Sequence, residues 1–223
     1  MPIAHYDGVA AWYDEHFAPR PEVVDTVRRL AGKGPGRCLD LGCGTGFHLP
    51  TLHELGWTVT GIDLSDDQLR IARERSGDIA ELVQGDAADL PFENSTFDLV
   101  LSAFTHTDFE DFEAVIREAV RVLAPRGRVV HLGPHPCFVG PHSRFIEGKG
   151  VPELHPGYDE RRRYTDGPGC SPTGIRAKVG AIHLRLGDLL ECFHRAGLRI
   201  DAFEEPILPD REYPHWIALR AER

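Results

Sequence analysis

Residues 37–46 read RCLDLGCGTG, a short apolar segment that reaches Asp40 and runs into a loop with glycine at every second position. The pattern of residues 48–55 that follows is typical of a helix. Because glycine lacks a Cβ atom, such a loop lets a ligand approach the main chain closely. A glycine loop between a strand and a helix is where an open α/β sheet binds nucleotide-like ligands. Glycine clusters also form ordinary turns, so the stretch needs support from its context.

Two further predicted strands follow this loop, and each ends at a carboxylate. Residues 58–62 lead to Asp63, at roughly the 20-residue distance from the loop at which a carboxylate meets a ribose. Residues 80–84 lead to Asp86. In an open α/β sheet ligands bind outside the carboxyl ends of the strands. Three carboxylates at that edge, Asp40 included, favour a binding site over three coincidences.

Four motifs in this order resemble those of class I S-adenosylmethionine-dependent methyltransferases, and most nearly the small-molecule branch (methyltransferase type 11) that includes ubiquinone- and menaquinone-biosynthesis enzymes. They are residues 39–46 (LDLGCGTG), 61–65 (GIDLS), 85–87 (GDA) and 97–102 (FDLVLS). The resemblance covers residues 1–135 and resumes at the C-terminus. It implies a Rossmann-like α/β fold, with a seven-stranded, mostly parallel sheet, an antiparallel last strand and helices on both faces. Only a loop separates predicted strands 198–204 and 214–220, which independently predicts an antiparallel pair.

The resemblance implies S-adenosylmethionine as the cofactor and S-adenosylhomocysteine as its product. Asp40 would meet the ammonium group, directly or through water, and Asp63 would accept from both ribose hydroxyls. Asp86 would accept from the adenine amino group, and Tyr6 and Tyr13 would fold over the cofactor. Each carboxylate has an alternative role as a helix cap or a surface charge. The predicted cofactor-binding residues are Tyr6, Tyr13, Asp40, Gly42, Cys43, Gly44, Gly46, Asp63, Leu64, Gln68, Asp86, Ala87 and Ser102.

The chain is predicted to be one domain, residues 1–223, with two segments around the site. Residues 1–33 would form helices that cap the cofactor. Residues 134–183 lack a sustained apolar period, and a segment this long without regular structure is usually functional or disordered. Its aromatic residues favour an ordered substrate lid, although they could also serve only to cover the core. The candidate substrate-binding residues are Phe104, His135, Phe138, His142, Tyr164 and His183.

Methyl transfer from a sulfonium needs mainly alignment and desolvation, and alignment alone can supply roughly 7–11 kcal/mol. A base is needed only where the nucleophile is a hydroxyl or a charged amine. His106 follows predicted strand four and titrates nearest neutral pH, so it is the candidate general base. Related sequences often carry the histidine a residue or two later, which leaves a structural role open. Asp108, Glu110 and Asp111 resemble the acidic first turn of a helix, so a metal-independent mechanism is expected.

The net charge of −10 argues against a nucleic-acid-binding protein, because basic residues cluster only at 161–163. No apolar run approaches the ~18 residues of a membrane-spanning helix, and the N-terminus lacks a signal-peptide pattern. The five cysteines are scattered without C-x-x-C spacing, which indicates reduced thiols. We therefore expect a cytoplasmic protein, a monomer or homodimer, without a membrane or nucleic-acid partner.

These features predict methyl transfer to a small organic acceptor through an O, N or C nucleophile. Three alternatives stay open. A nicotinamide-dependent oxidoreductase is disfavoured because the loop lacks G-x-G-x-x-G. An RNA or protein methyltransferase could use the arginines of residues 161–163. A protein that binds the cofactor without transferring its methyl group would carry the same motifs.

Overall fold

A seven-stranded sheet forms the centre of the molecule. The computed structural model describes residues 2–18, 20–146 and 148–223. Met1 and Pro19, within the predicted cap, and Glu147, within the predicted lid, lie outside the described residues. In chain order the elements are α1 (Ala10–His16), α2 (Pro21–Ala31), β1 (Arg37–Leu41), α3 (Leu49–Glu54), β2 (Thr58–Asp63), α4 (Asp66–Ser76), β3 (Ala80–Gln84), β4 (Phe97–Ala103), α5 (Phe112–Val122), β5 (Leu123–Pro134), β6 (Ser143–Phe145), β7 (Pro152–Leu154), β8 (Arg163–Tyr164), α6 (Ile175–Val179), β9 (Ala181–Ile182), α7 (Leu186–Arg195), β10 (Arg199–Glu204) and β11 (Trp216–Glu222).

The sheet has the order β10-β11-β5-β4-β1-β2-β3. Strands β1 to β5 run parallel to one another, whereas β11 is antiparallel to both β5 and β10. This arrangement confirms the predicted seven-stranded fold and the predicted antiparallel pair at the C-terminus. It also brings the carboxyl ends of β1, β2, β3 and β4 to one edge of the sheet.

Side chains that alternate along β1 bury an apolar core on each face of the sheet. Leu39 and Leu41 pack on one face with α5 and α7, and Cys38 packs on the other with α2 and α3. On α5 the buried positions Phe112, Val115, Ile116 and Ala119 recur at helical spacing, and Asp111 caps the helix by accepting from the Ala114 amide at 2.9 Å.

The prediction that residues 1–33 form helices is wrong for residues 5–9. Residues 5–9 form turns, and α1 begins at Ala10. Gly8 has φ +78°, a left-handed conformation that a helix does not contain. The N-terminal segment therefore crosses the carboxyl edge of the sheet as an irregular strap before it becomes helical.

The segment predicted to be a lid contains two short antiparallel strand pairs, β6–β7 and β8–β9, and the single turn-and-a-half of α6. Histidine side chains hold it together. His183 Nε2 donates to the Tyr158 carbonyl at 2.8 Å, and His135 Nε2 lies 2.7 Å from Glu205 Oε1. In the described part of the chain, no helix combines the length and the apolar content needed to cross a bilayer.

Candidate active site

A cavity of about 480 Å³ opens at the carboxyl edge of β1, β2, β3 and β4. It lies where the predicted cofactor-binding motifs converge. The predicted residues that line it are Tyr6, Tyr13, Gly42, Gly44, Asp63, Leu64, Gln68, Asp86, Ala87 and Phe104. One wall of the cavity thus carries the glycine loop and the carboxylates of the second and third strands.

Asp63 is held in place by the backbone around it. Its Oδ2 accepts from the Gly44 amide at 2.9 Å, and its Oδ1 accepts from the Ser65 amide at 2.9 Å. Burial raises the pKa of Asp63 to about 6, and the hydrogen bonds from the amides of Gly44 and Ser65 oppose that rise. Because each carboxylate oxygen has two lone pairs, both oxygens keep acceptor capacity for a pair of ligand hydroxyls.

The glycine loop follows β1 and packs closely against the end of β2 and Thr105. The amides of Gly42 and Cys43 both donate to the Ile62 carbonyl, at 2.8 and 3.0 Å, which fixes the loop to the end of β2. Gly42 has φ +71°, and a Cβ atom there would lie 2.7 Å from Thr105 Cγ2. The position therefore requires glycine for its conformation and for space.

Apolar and polar side chains together line the rest of the cavity. Leu64, Ala87 and Val115 line it, and so does Asp86, which accepts from the Ala88 amide at 2.9 Å. The Gln68 side chain is buried, and its Oε1 has no partner among the described residues. An unpaired buried acceptor is costly, which favours a ligand that donates to it.

The N-terminal segment closes the cavity. Tyr6 and Tyr13 contact each other edge to face, with ring centroids 5.5 Å apart. Ser65 Oγ donates to Asp7 at 2.6 Å, and the Gly8 amide donates to Asp67 at 2.7 Å. Burial raises the pKa of Tyr13 to about 12, so the phenol stays neutral. The segment predicted to cap the cofactor is thus attached to the start of α4.

Comparisons with known proteins show which proteins this chain is similar to. Residues 39–131 match the family model described as a methyltransferase domain. A demethylmenaquinone methyltransferase from Staphylococcus aureus is 40% identical over 125 residues, which cover 54% of this chain and 51% of the relative. One from Oceanobacillus iheyensis is 37% identical over 113 residues, 48% of each chain. The chain therefore spans about half the length of the curated relatives it matches.

The similarity to solved structures extends over nearly the whole chain. An S-adenosylmethionine-dependent methyltransferase from Mesorhizobium loti superposes with a TM-score of 0.73 and 25% identity, over 94% of this chain and 99% of that one. Residues 39–131 thus match a methyltransferase domain, and nearly the whole chain is similar in fold to an S-adenosylmethionine-dependent methyltransferase. The sequence resemblance noted above is thereby confirmed at the level of the family.

The predicted lid and cap share one carboxylate, Asp108, which the sequence analysis did not assign to the site. Arg176 of α6 donates to Asp108 Oδ1 at 2.7 Å and to Thr107 Oγ1 at 2.8 Å. Tyr6 donates to Asp108 Oδ2 at 3.3 Å. Asp108 follows β4, so its position in the sequence could have placed it at the carboxyl edge of the sheet. Arg176 lies in a segment without a hydrophobic period, so no pattern in the sequence indicates its role.

Four predicted cofactor-binding residues do not line the cavity but support its wall. Asp40 lies behind the glycine loop, 2% exposed, and its Oδ2 has no partner among the described residues. Burial and the nearby Asp63 raise the pKa of Asp40 to about 7. A Cβ atom on Gly46 would press on Leu49 and Ala72. The other two are Cys43 and Ser102, both buried.

His106 does not line the cavity, and a buried hydrogen-bonded chain connects it to the wall. Thr105, which lines the cavity, bonds to Ser102 at 2.6 Å; Ser102 lies 3.1 Å from His131 Nδ1, and His131 Nε2 lies 3.2 Å from His106 Nδ1. Burial lowers the pKa of His106 well below its usual value and that of His131 to about 3, so both rings are neutral. The role of His106 as a general base stays a prediction.

Of the candidate substrate-binding residues, only Phe104 lines the cavity. The others belong to the lid and lie beyond it. The rings of His142 and His183 are 4.9 Å apart and both are buried. The lid residues outside the cavity are His135, Phe138, His142, Tyr164 and His183.

The charged clusters noted in the sequence form intramolecular pairs. Arg161 pairs with Asp188 at 2.8 Å, Arg162 with Glu160 at 3.1 Å, and Arg163 with Glu110 at 2.7 Å. Each arginine of residues 161–163 thus has a carboxylate beside it. Within residues 2–18, 20–146 and 148–223, no three His, Cys, Asp or Glu side chains converge as metal ligands.

Cofactor affinity is expected to rise with pH through the pKa values of Asp63 and Asp40, about 6 and about 7. Both pKa values are raised in the free protein, so the protonated carboxyls favour the fold, and their contribution to stability is lost as pH rises through these values. Ligand hydroxyls and an ammonium group stabilise the ionised forms, so binding releases protons.

Calorimetry of S-adenosylhomocysteine binding near pH 6, in buffers with different ionisation enthalpies, measures this release. Asp63→Asn should release fewer protons than the native protein. An observed heat that does not depend on the buffer contradicts the prediction.

Proposed function

We propose that this chain transfers the methyl group of S-adenosylmethionine to a small organic acceptor, through an O, N or C nucleophile and without a metal ion. The single observation that carries the proposal is the cavity in which the glycine loop, Asp63 and Asp86 line one wall. This donor and acceptor set matches the amino acid tail, ribose and adenine of that cofactor. Gly42 and the unpaired Gln68 Oε1 leave the space and the acceptor that such a ligand needs.

The charge of the cavity supports a cationic ligand. Carboxylates at Asp63, Asp86, Asp108, Glu110 and Asp111 line it, against the single arginine Arg163. A cleft lined by one sign of charge concentrates ligands of the opposite sign. Bound S-adenosylmethionine would supply an activated methyl group, so the side chains need only bind, orient and exclude water.

The cap and the lid would supply that exclusion. Tyr6 and Tyr13 cover the cavity, and the pair formed by Asp108 and Arg176 ties the cap to the lid. Where the acceptor is a hydroxyl, His106 is proposed to take its proton through the hydrogen-bonded chain from Thr105. The five cysteines are free, which supports the proposed reducing, cytoplasmic setting.

The acceptor is proposed to be a small molecule because the curated relatives act on demethylmenaquinone. Since the chain spans about half of those relatives, the quinone itself is a first acceptor to test rather than an assigned substrate. An RNA or protein acceptor has weaker support, because the arginines of residues 161–163 are already paired.

The test combines binding with turnover. Calorimetry should detect S-adenosylhomocysteine binding, and radiolabelled S-adenosylmethionine should transfer its methyl group to at least one compound in a panel of phenols, quinols, amines and carboxylates. Transfer to RNA or protein alone would refute the small-molecule acceptor. Binding without any transfer would favour a cofactor-binding protein, and absence of binding would refute the proposal.

A further inference from the structure

Arg75, the last arginine of α4, connects the glycine loop to the cap. Its Nη1 donates to the Thr45 carbonyl and, at 3.0 Å, to Thr45 Oγ1. Its Nη2 donates to both carboxylate oxygens of Asp14, at 2.8 and 3.1 Å. The guanidinium also lies over the Phe47 ring, 4.3 Å from the ring centroid. One side chain of α4 thus contacts both the loop that follows β1 and helix α1 of the cap.

The contacts of Arg75 differ from those of an ordinary surface arginine. Arg73, two positions earlier, contacts Asp66 of its own helix at 3.2 Å, and its side chain is 48% exposed. The side chains of Arg75 and Asp14 are 28% and 26% exposed. An isolated surface ion pair contributes little, whereas good geometry and several partners make a charged contact count. Arg75 has both, because its planar guanidinium presents several donors in a fixed arrangement.

Both polar partners of Arg75 are neighbours in sequence of residues that line the cavity. Thr45 is buried and follows Gly44, which lines the cavity. Asp14 follows Tyr13, which lines the cavity from the cap. Arg75 itself is not among the lining residues. Any effect of Arg75 on a ligand therefore passes through the glycine loop and the cap.

We propose that Arg75 is a positioning residue that couples closure of the cap to the conformation of the glycine loop. Through Asp14 it holds α1 in place, and through the Thr45 carbonyl it fixes the plane of the peptide between Thr45 and Gly46. The loop and the cap therefore reach their binding conformations together. This inference rests on the proposed function, which supplies the adenosyl ligand that both elements contact.

The first test is a double-mutant cycle on S-adenosylhomocysteine affinity, measured by calorimetry. Asp14→Ala and Arg75→Ala are each expected to weaken binding about tenfold, the effect of one hydrogen bond to a charged group. Because Asp14 acts through Arg75, the double variant should bind about as tightly as Arg75→Ala alone. The matched control is Arg73→Ala, which removes an arginine of the same helix and should stay within about twofold of native affinity.

The second test follows the backbone amide signal of Gly46 by ¹⁵N–¹H correlation spectroscopy of the free protein. Asp14 bonds to Arg75 and, among the described residues, to no atom of the glycine loop. Asp14→Ala is nevertheless expected to shift the Gly46 signal, because the freed Arg75 no longer holds the Thr45 carbonyl in place. In the Arg75→Ala background the same substitution should leave the signal where it is, and Arg73→Ala should not move it. A contact that only stabilised the fold would lower the melting temperature without this signature.

Three results would each overturn the coupling. They are a Gly46 signal that Asp14→Ala leaves in place or moves equally without Arg75, additive losses of affinity in the cycle, and native affinity in Arg75→Ala. These results are distinct from a failure of the proposed function, which is the absence of S-adenosylhomocysteine binding to the native protein. The amide test uses no ligand, so in that case it still decides whether Arg75 transmits between the cap and the loop.

Discussion

Replacing Asp63 with alanine is expected to weaken S-adenosylhomocysteine binding by about 100-fold or more. Two hydrogen bonds from ribose hydroxyls to a charged acceptor contribute roughly 1.5 kcal/mol each at the low end of the measured range, and each 1.4 kcal/mol is about a factor of ten in affinity. The substitution also frees the amides of Gly44 and Ser65, which Asp63 now orients. Calorimetry of the purified variant measures the loss.

Two further variants separate the ribose contacts from general damage to the fold. Asp63→Asn keeps the shape and one acceptor oxygen but loses the charge, so it should fall between the native protein and Asp63→Ala. Asp78 is exposed and precedes β3 at the opposite edge of the sheet, so Asp78→Ala should bind normally. Native-like affinity in Asp63→Ala would remove Asp63 from the site.

Gly42→Ala is expected to abolish measurable cofactor binding while the protein still folds. The new Cβ atom would lie 2.7 Å from Thr105 Cγ2, at a residue whose φ is +71°. The left-handed conformation costs a non-glycine residue about 1–2 kcal/mol, and the displaced loop also loses its register with the Ile62 carbonyl. Binding is measured by calorimetry and folding by thermal unfolding.

The control for backbone strain is Gly197→Ala. Gly197 has φ +81°, follows α7 and has open space around its Cβ position. Its substitution should lower stability by about 1 kcal/mol without changing cofactor affinity. If Gly42→Ala binds as well as Gly197→Ala, the glycine loop does not contact the cofactor.

The position of the candidate cavity could be predicted from the sequence because its signals are local. Gly42, Asp63 and Asp86 each lie at or just after the end of a strand. The hydrophobic pattern of the strand therefore predicts where each of these residues lies in the sheet. The cap over the cavity was also anticipated, through Tyr6 and Tyr13. The structure places these five residues around one cavity.

The contacts between the lid and the cap could not be predicted in the same way, because they join distant and aperiodic segments. Asp108 and Arg176 are 68 positions apart, and Arg176 lies in a lid without a hydrophobic period. The positive φ of Phe104 changes which side chains face the cavity after β4, so Thr105 lines it and His106 does not. Whether a buried acceptor such as Gln68 Oε1 has a partner depends on the whole fold and cannot be inferred from the sequence.

The central claim is that the glycine loop and the carboxylates at the ends of β2 and β3 hold one adenosyl ligand. A crystal structure of the protein saturated with S-adenosylhomocysteine tests it most directly. The account predicts that both ribose hydroxyls lie within hydrogen-bond distance of Asp63, with the adenine between Leu64 and Ala87 and its amino group at Asp86. A nucleoside bound elsewhere, or Asp63 and Asp86 facing separate spaces with no ligand between them, would contradict it.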